Sequence, residues 1–152
     1  MVQEEDPCPE ILSLLLNSLY ALGKLKLPQA MVKAVFEFRL ACIIGFHPDL
    51  TDCPCGRGGE PVFFSLTRGC LLCEACGNLP LEGELRMPIT QGILSAMTYV
   101  AASHPGKLFS FRLAPNALKQ LAGITEAYLC SRLERGFYTL DFYKSLQIEG
   151  IL

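Results

Sequence analysis

The stretch CPCGRGGEPVFFSLTRGCLLCEAC, Cys53 to Cys76, holds five of the chain's eight cysteines. No other feature limits the fold as strongly. In a reducing compartment, clustered thiols bind metal in preference to pairing as disulfides. A tetrahedral zinc ion with bonds of about 2.3 Å needs its sulfurs about 3.8 Å apart. The chain must therefore carry two separate cysteine groups to one point, through a connection short enough to be a loop and a hairpin.

Cys73-Glu74-Ala75-Cys76 has the two-residue spacing that lets both sulfurs of a turn reach one ion. The other half, Cys53-Pro54-Cys55-Gly56, is one residue shorter than the usual knuckle. Its glycine permits the tight turn that aims backbone N–H groups at sulfur. The preferred ligand set is Cys53, Cys55, Cys73 and Cys76. Because Cys70 also precedes Cys73 by two intervening residues, the set Cys55, Cys70, Cys73 and Cys76 stands as the alternative. Between the groups, PVFFSL follows Gly58-Gly59 and is short, aromatic and β-branched, the signature of one strand of a small hairpin.

Other uses of these thiols are weaker matches. Metal-free, they would be small buried hydrophobes. An iron–sulfur run beginning at Cys70, Cys73 and Cys76 needs a further cysteine before a proline, and Gly77-Asn78-Leu79-Pro80 lacks it. A catalytic zinc keeps an open position, normally beside histidine and an acid or base. The chain's two histidines, His47 and His104, stand outside the cluster, and His47-Pro48 reads as a helix exit. The reading is a closed, structural Zn2+ site. Gly56, Gly58 and Gly59 lack the Lys-Ser/Thr of a phosphate loop, and no Ser/His/Asp or Cys/His set stands out, so no enzyme is expected. Cys42 and Cys130 lie on apolar helix faces and are expected in the core; Cys8 belongs to no cluster.

The remainder reads as helix. PEILSLLLNSLYALGK places Pro9 in a first turn, Leu12, Leu15, Leu16, Leu19 and Leu22 at helical spacing, and Gly23 at a stop. PQAMVKAVFEFRLACIIGF is apolar nearly all round, with Met31, Val35, Phe38 and Cys42 in one stripe, so it should be central. After a polar connector with Pro80 and Gly83 come PITQGILSAMTYVAAS, PNALKQLAGITEAYLCSRLERG and a shorter YTLDFYKSL. The fold class is mainly α: a compact helical bundle, one domain over residues 1–152, with a β-hairpin/zinc knuckle inserted at 50–78.

Charged residues make up only 18% of the chain, so part of its apolar surface is free to face a partner. Net charge is −2, which argues against binding nucleic acid by bulk charge. Its distribution is uneven. Glu4, Glu5, Asp6 and Glu10 make the start acidic, whereas residues 104–147 carry six basic side chains against three acidic ones. An anionic partner should prefer that end. No run reaches the roughly 20 apolar residues of a membrane span, and the acidic N-terminus lacks the basic region of a secretory signal. The cytosol is the expected compartment.

The run FEFRLACIIGFHPDLTDCPCG, then FFSLTRGCLLCEAC, then YLCSRLERGFYTLDFYKSL, resembles the C-terminal region of the bacterial RecO recombination mediators. That family shows an FExRLL helix, a G-[YF]-x-PDL turn, a CxxCG knuckle, a G-G-x-L-C-x-x-C return and a closing helix near Y-L-x-x-x-L-x-R-x-x-K-T-L-x-F. The matching positions are Phe36 to Leu40, Gly45 to Leu50, Cys53 to Gly56, Gly69 to Cys76 and Tyr128 to Phe142. The chain departs at CPCG and at Cys70, which takes the place of the second glycine. The family's opening oligonucleotide-binding (OB) fold has no counterpart here, so a fragment lacking it is expected. The resemblance implies a cytoplasmic, nucleoid-associated protein of DNA repair and recombination in the RecF pathway. It implies contact with the acidic tail of single-strand-binding protein, with RecR, and with DNA weakly or only beside the OB-fold. On that reading Arg132, Arg135 and Lys144 are candidate partner-binding cations. The rival reading is a stand-alone zinc-stabilised helical interaction module with no DNA role.

Overall fold

The computed structural model describes residues 8–80, 82–134 and 137–148. Two helices open it, α1 (Pro9–Gly23) and α2 (Gln29–Ile43). Pro9 sits in the first turn of α1, where its missing N–H costs nothing. Gly45 ends the α2 region at φ +100. There Phe46 N–H donates to the Ala41 carbonyl at 2.8 Å and Gly45 N–H to that of Cys42 at 3.4 Å. This paired closure depends on the left-handed residue and turns the chain out of the bundle into the cysteine segment.

Three short strands follow: β1 (Pro61–Ser65), β2 (Cys70–Cys73) and β3 (Arg86–Pro88). They form one antiparallel sheet in the order β2-β1-β3, with Phe64 opposite both Leu71 and Met87. The four-residue helix α3 (Glu74–Gly77) continues directly from β2. The excursion thus contains a third strand where the sequence suggested only a connector and the start of a helix at Pro88. Pro88 has no N–H to donate, and β3 is an edge strand, where that defect is tolerated. The helix starts later: α4 (Gln91–Ala102) is capped by Thr90, whose side chain accepts from Ile93 N–H at 3.4 Å.

A 3-10 turn (Pro105–Lys107) leads to α5 (Pro115–Leu133) and α6 (Tyr138–Ile148). The core forms where α2 lies on α5, with α1 and α4 beside them. Val35, Phe38, Ile93, Met97, Ile124 and Tyr128 are almost wholly buried there. The sheet joins this core through one face. Phe64 and Leu71 belong to the helical core, while Leu72 and Cys70 pack with the cysteines. Arg39 donates to the carbonyls of Val100, at 3.2 Å, and Ala101, closing the C-terminal end of α4.

Apart from Leu14, the leucines of α1 are not core residues. Its buried positions are Leu14, Ser18 and Ala21, small enough for α1 to lie closely on α2. Leu12, Leu15, Leu16, Leu19 and Leu22 face outward. Cys42 and Cys130, expected in the core, are half-buried. Burial pushes the Cys42 thiol up to about 11 and raises that of Cys130.

Candidate metal centre

The two cysteine groups meet. The sulfurs of Cys53, Cys55, Cys73 and Cys76 all lie within 4.8 Å of one another. Cys55 Sγ and Cys73 Sγ stand 3.8 Å apart, close to the edge of a sulfur tetrahedron around zinc. Two local structures set this up. In CPCG, Gly56 N–H donates to the Cys53 carbonyl at 3.2 Å and Gly56 takes φ +65, so the compressed spacing closes as a tight turn. In CEAC, Cys73 ends β2 and caps α3, and one helical turn later Cys76 comes back beside it.

Cys70 is buried next to the cluster but is not among the four grouped sulfurs. The reason is strand geometry. Cys70-Leu71-Leu72-Cys73 is extended, so residues three apart face opposite sides about 10 Å apart along the strand. The same spacing wound as helix, in Cys73 to Cys76, brings side chains together. Burial is the first cause raising the Cys70 thiol.

Protons within the group are divided unequally. Burial pushes the Cys53 thiol up, but the backbone amides and the thiols of Cys55 and Cys73 outweigh it and hold Cys53 at about 6. Hydrogen bonds to the sulfurs of Cys55, Cys53 and Cys73 push Cys76 up to about 12. A divalent cation held by these four sulfurs would take the place of their protons. The donor set fits a closed four-sulfur site, and such sites hold an ion rather than expose it to substrate.

Packing fixes the frame. Phe63 lies so close to Gly77 that a Cβ there would sit 2.1 Å from the ring. A Cβ on Gly59 would stand 3.0 Å from that of Cys73. On the bundle side, Gly69 has φ +66, and a Cβ there would meet both the Arg132 guanidinium and the Tyr128 hydroxyl at 2.7 Å. Arg132 itself stacks over Tyr128, 4.9 Å from the ring centroid, and over Phe46 at 6.0 Å. Its Nε is buried and has no hydrogen-bond partner among the described residues.

Of the cations suggested by sequence, Arg132 is therefore engaged with aromatic rings, and Arg135 lies outside the described residues. Lys144 pairs with Glu126 at 2.5 Å, and Lys33 bridges Glu126 and Glu37 at 2.7 Å each. Sequence reading missed this network and the groove beside it. The groove, about 540 Å³, has apolar walls from Pro28, Leu113, Leu118 and Ala122, with Lys33, Lys119 and Lys144 along it. The available signal was Glu37, a lone acid inside the apolar sequence of α2. No helix among the described residues is long and apolar enough to cross a membrane.

Fold and site together define a helical-bundle protein that carries a four-thiol knuckle able to hold a metal ion. Residues 1–141 match the family described as recombination protein O C terminal. The chain belongs to that family. It is 32% identical to the DNA repair protein RecO of Acetivibrio thermocellus, a similarity covering 96% of this chain and 58% of that protein. The RecO proteins of Caldicellulosiruptor saccharolyticus and Caldicellulosiruptor bescii are 29% and 31% identical, over 96% and 91% of this chain and 58% and 55% of theirs. The chain thus spans somewhat over half the length of these relatives. No solved structure matches it.

Proposed function

We propose that this chain is a non-enzymatic mediator module of DNA repair and recombination, held in shape by structural zinc on Cys53, Cys55, Cys73 and Cys76. The observation that carries the reading is the four-thiol cluster in a chain matched over residues 1–141 by the recombination protein O C-terminal family. The zinc supplies cross-linking of CPCG to CEAC and no chemistry on substrate. The partners are the acidic tail of single-strand-binding protein and RecR. Direct DNA binding is weak, since few phosphates can be neutralised by a chain of net charge −2.

For the tail, the groove between α2 and α5 has suitable chemistry. An acidic peptide with an apolar end needs a greasy slot rimmed by cations. Of the three cations assigned to this contact from sequence, Lys144 lines the groove. Lys33 and Lys144 share Glu126, whereas Lys119 has no ion pair among the described residues. A synthetic tail peptide, titrated calorimetrically at low salt, should bind. Lys119→Glu combined with Lys144→Glu should weaken it by roughly tenfold or more. A peptide without affinity at low salt would sink the docking reading. The exposed leucines of α1 favour a second reading, an interaction module with no DNA role, which requires that neither tail peptide nor single-stranded DNA binds.

A further inference from the structure

Helix α1 carries two faces, one turned into the bundle and one, rich in leucine, turned outward. One side, Leu14, Ser18 and Ala21, is buried against the bundle. The other presents Leu12, Leu15, Leu16 and Leu19 at 57%, 44%, 57% and 56% exposure, with Leu22 at 40%. Solvent alone gives no reason for an outward leucine face, and contiguous exposed apolar surface marks a contact site. The spacing of Leu12, Leu15, Leu19 and Leu22 is three, four, three, which is the seam of a coiled-coil pair.

We propose that this face pairs with the same face of a second copy of the chain, the two α1 helices running antiparallel about a two-fold axis level with Asn17. In that register Leu12 lies opposite Leu22 of the second copy, and Leu15 opposite Leu19, so every seam leucine meets a leucine. Charge selects the direction. Between Ile11 and Gly23 there is no charged residue, while Glu10 precedes that run and Lys24 and Lys26 follow it. Antiparallel pairing brings each acidic end level with a basic end, and opposes the helix dipoles favourably. Parallel pairing would set like charges side by side.

The seam is also continuous with a groove of about 630 Å³ between α1 and α2. Leu15, Leu19 and Leu22 form one wall, and Val32 and Phe36 of α2 form the other. A second α1 laid along the seam would fill this groove, giving a four-helix arrangement of two α1 and two α2 helices. Neither the four thiols nor the groove between α2 and α5 takes part in this pairing.

Sedimentation equilibrium on the full chain, from roughly 5 to 200 μM, tests it, since a contact this short belongs at the weak end of specific interfaces. The wild-type chain should dimerise. Leu15→Glu and Leu19→Lys, each at a surface position, should separately be at least tenfold weaker in self-association, with unchanged helical circular dichroism. Their equimolar mixture should regain dimers. There the new carboxylate faces the new ammonium in one layer, and Leu–Leu remains in the other. A wild-type chain that stays monomeric throughout assigns the stripe to a different macromolecule and overturns the proposal. So does a dimer untouched by either substitution, and a mixture that fails to recover overturns the antiparallel register.

Discussion

The Tyr128 hydroxyl donates a hydrogen bond to the Phe46 carbonyl at 2.9 Å. This one contact joins the C-terminal half of α5 to the point where the chain leaves α2 for the cysteine knuckle. The Tyr128 ring is wedged between Phe38, at 6.2 Å between centroids, and Phe64, at 5.2 Å, so bundle and sheet meet on it. Tyr128→Phe keeps the packing and removes the bond, leaving the Phe46 carbonyl without that partner. It should lower stability by about 1–3 kcal/mol in urea unfolding, with bound metal unchanged. Gly69→Ala should cost more, because a methyl group there meets both Tyr128 and Arg132 and strains a left-handed backbone.

Gly77 tests how the frame supports the sulfurs. Any side chain at this position drives the Phe63 ring away from α3, the helix that carries Cys76. Gly77→Ala should leave the helical bundle folded and weaken zinc retention roughly 10- to 100-fold in chelator competition, as loss of ligand support typically does. Adding Phe63→Leu should recover part of the loss by making room. Equal retention in Gly77→Ala and the wild type would show that Phe63 does not hold the site.

The two ligand sets read from sequence make different demands on Cys70. With Cys70 on an extended strand outside the sulfur group, Cys70→Ala should keep one zinc per chain by elemental analysis and lose about 1–2 kcal/mol of packing. Cys53→Ser should lose the metal and with it the order of residues 50–78. A Cys70→Ala chain stripped of zinc would falsify the set Cys53, Cys55, Cys73 and Cys76. Because the thiols must give up protons to bind, the wild-type chain should also release zinc more readily to chelators as pH falls.

The helices and the cysteine pairing were legible because their signals are local. Pro9, Gly45 and the CxC…CxxC spacing each act within a turn or two of chain. What stayed hidden depends on what lies opposite. Strand β3 has only three residues, one of them proline, and gains strand character only by lying beside β1. The leucine period of α1 states that one side is apolar but not that Ser18 and Ala21 would be the side buried. Arg132 reads from sequence as a partner-binding cation, and only the fold brings it over the ring of Phe46, distant in sequence, as well as over that of Tyr128 one helical turn away. Even for Cys70, residue spacing was ambiguous, since three residues apart means neighbours on a helix and opposite faces on a strand.

Acid should loosen α6 through Glu126. Burial raises this carboxyl, but hydrogen bonds from Lys144 and Lys33 outweigh it and leave it below its ordinary range. Glu126 thus binds its proton less readily folded than unfolded. Its stabilisation is full above the unfolded value and disappears as pH falls through the lower folded one. Glu37 runs the other way: burial keeps its carboxyl raised despite Lys33, so its contribution is present in acid and is lost as pH rises through the folded value. The stability gap between wild type and Glu126→Gln, measured by urea midpoints, should therefore be largest near neutrality and shrink below about pH 5. The gap for Glu37→Gln should slope oppositely. If the Glu126→Gln gap is flat across that range, the Lys33–Glu126–Lys144 bridge does not hold α6 to the bundle.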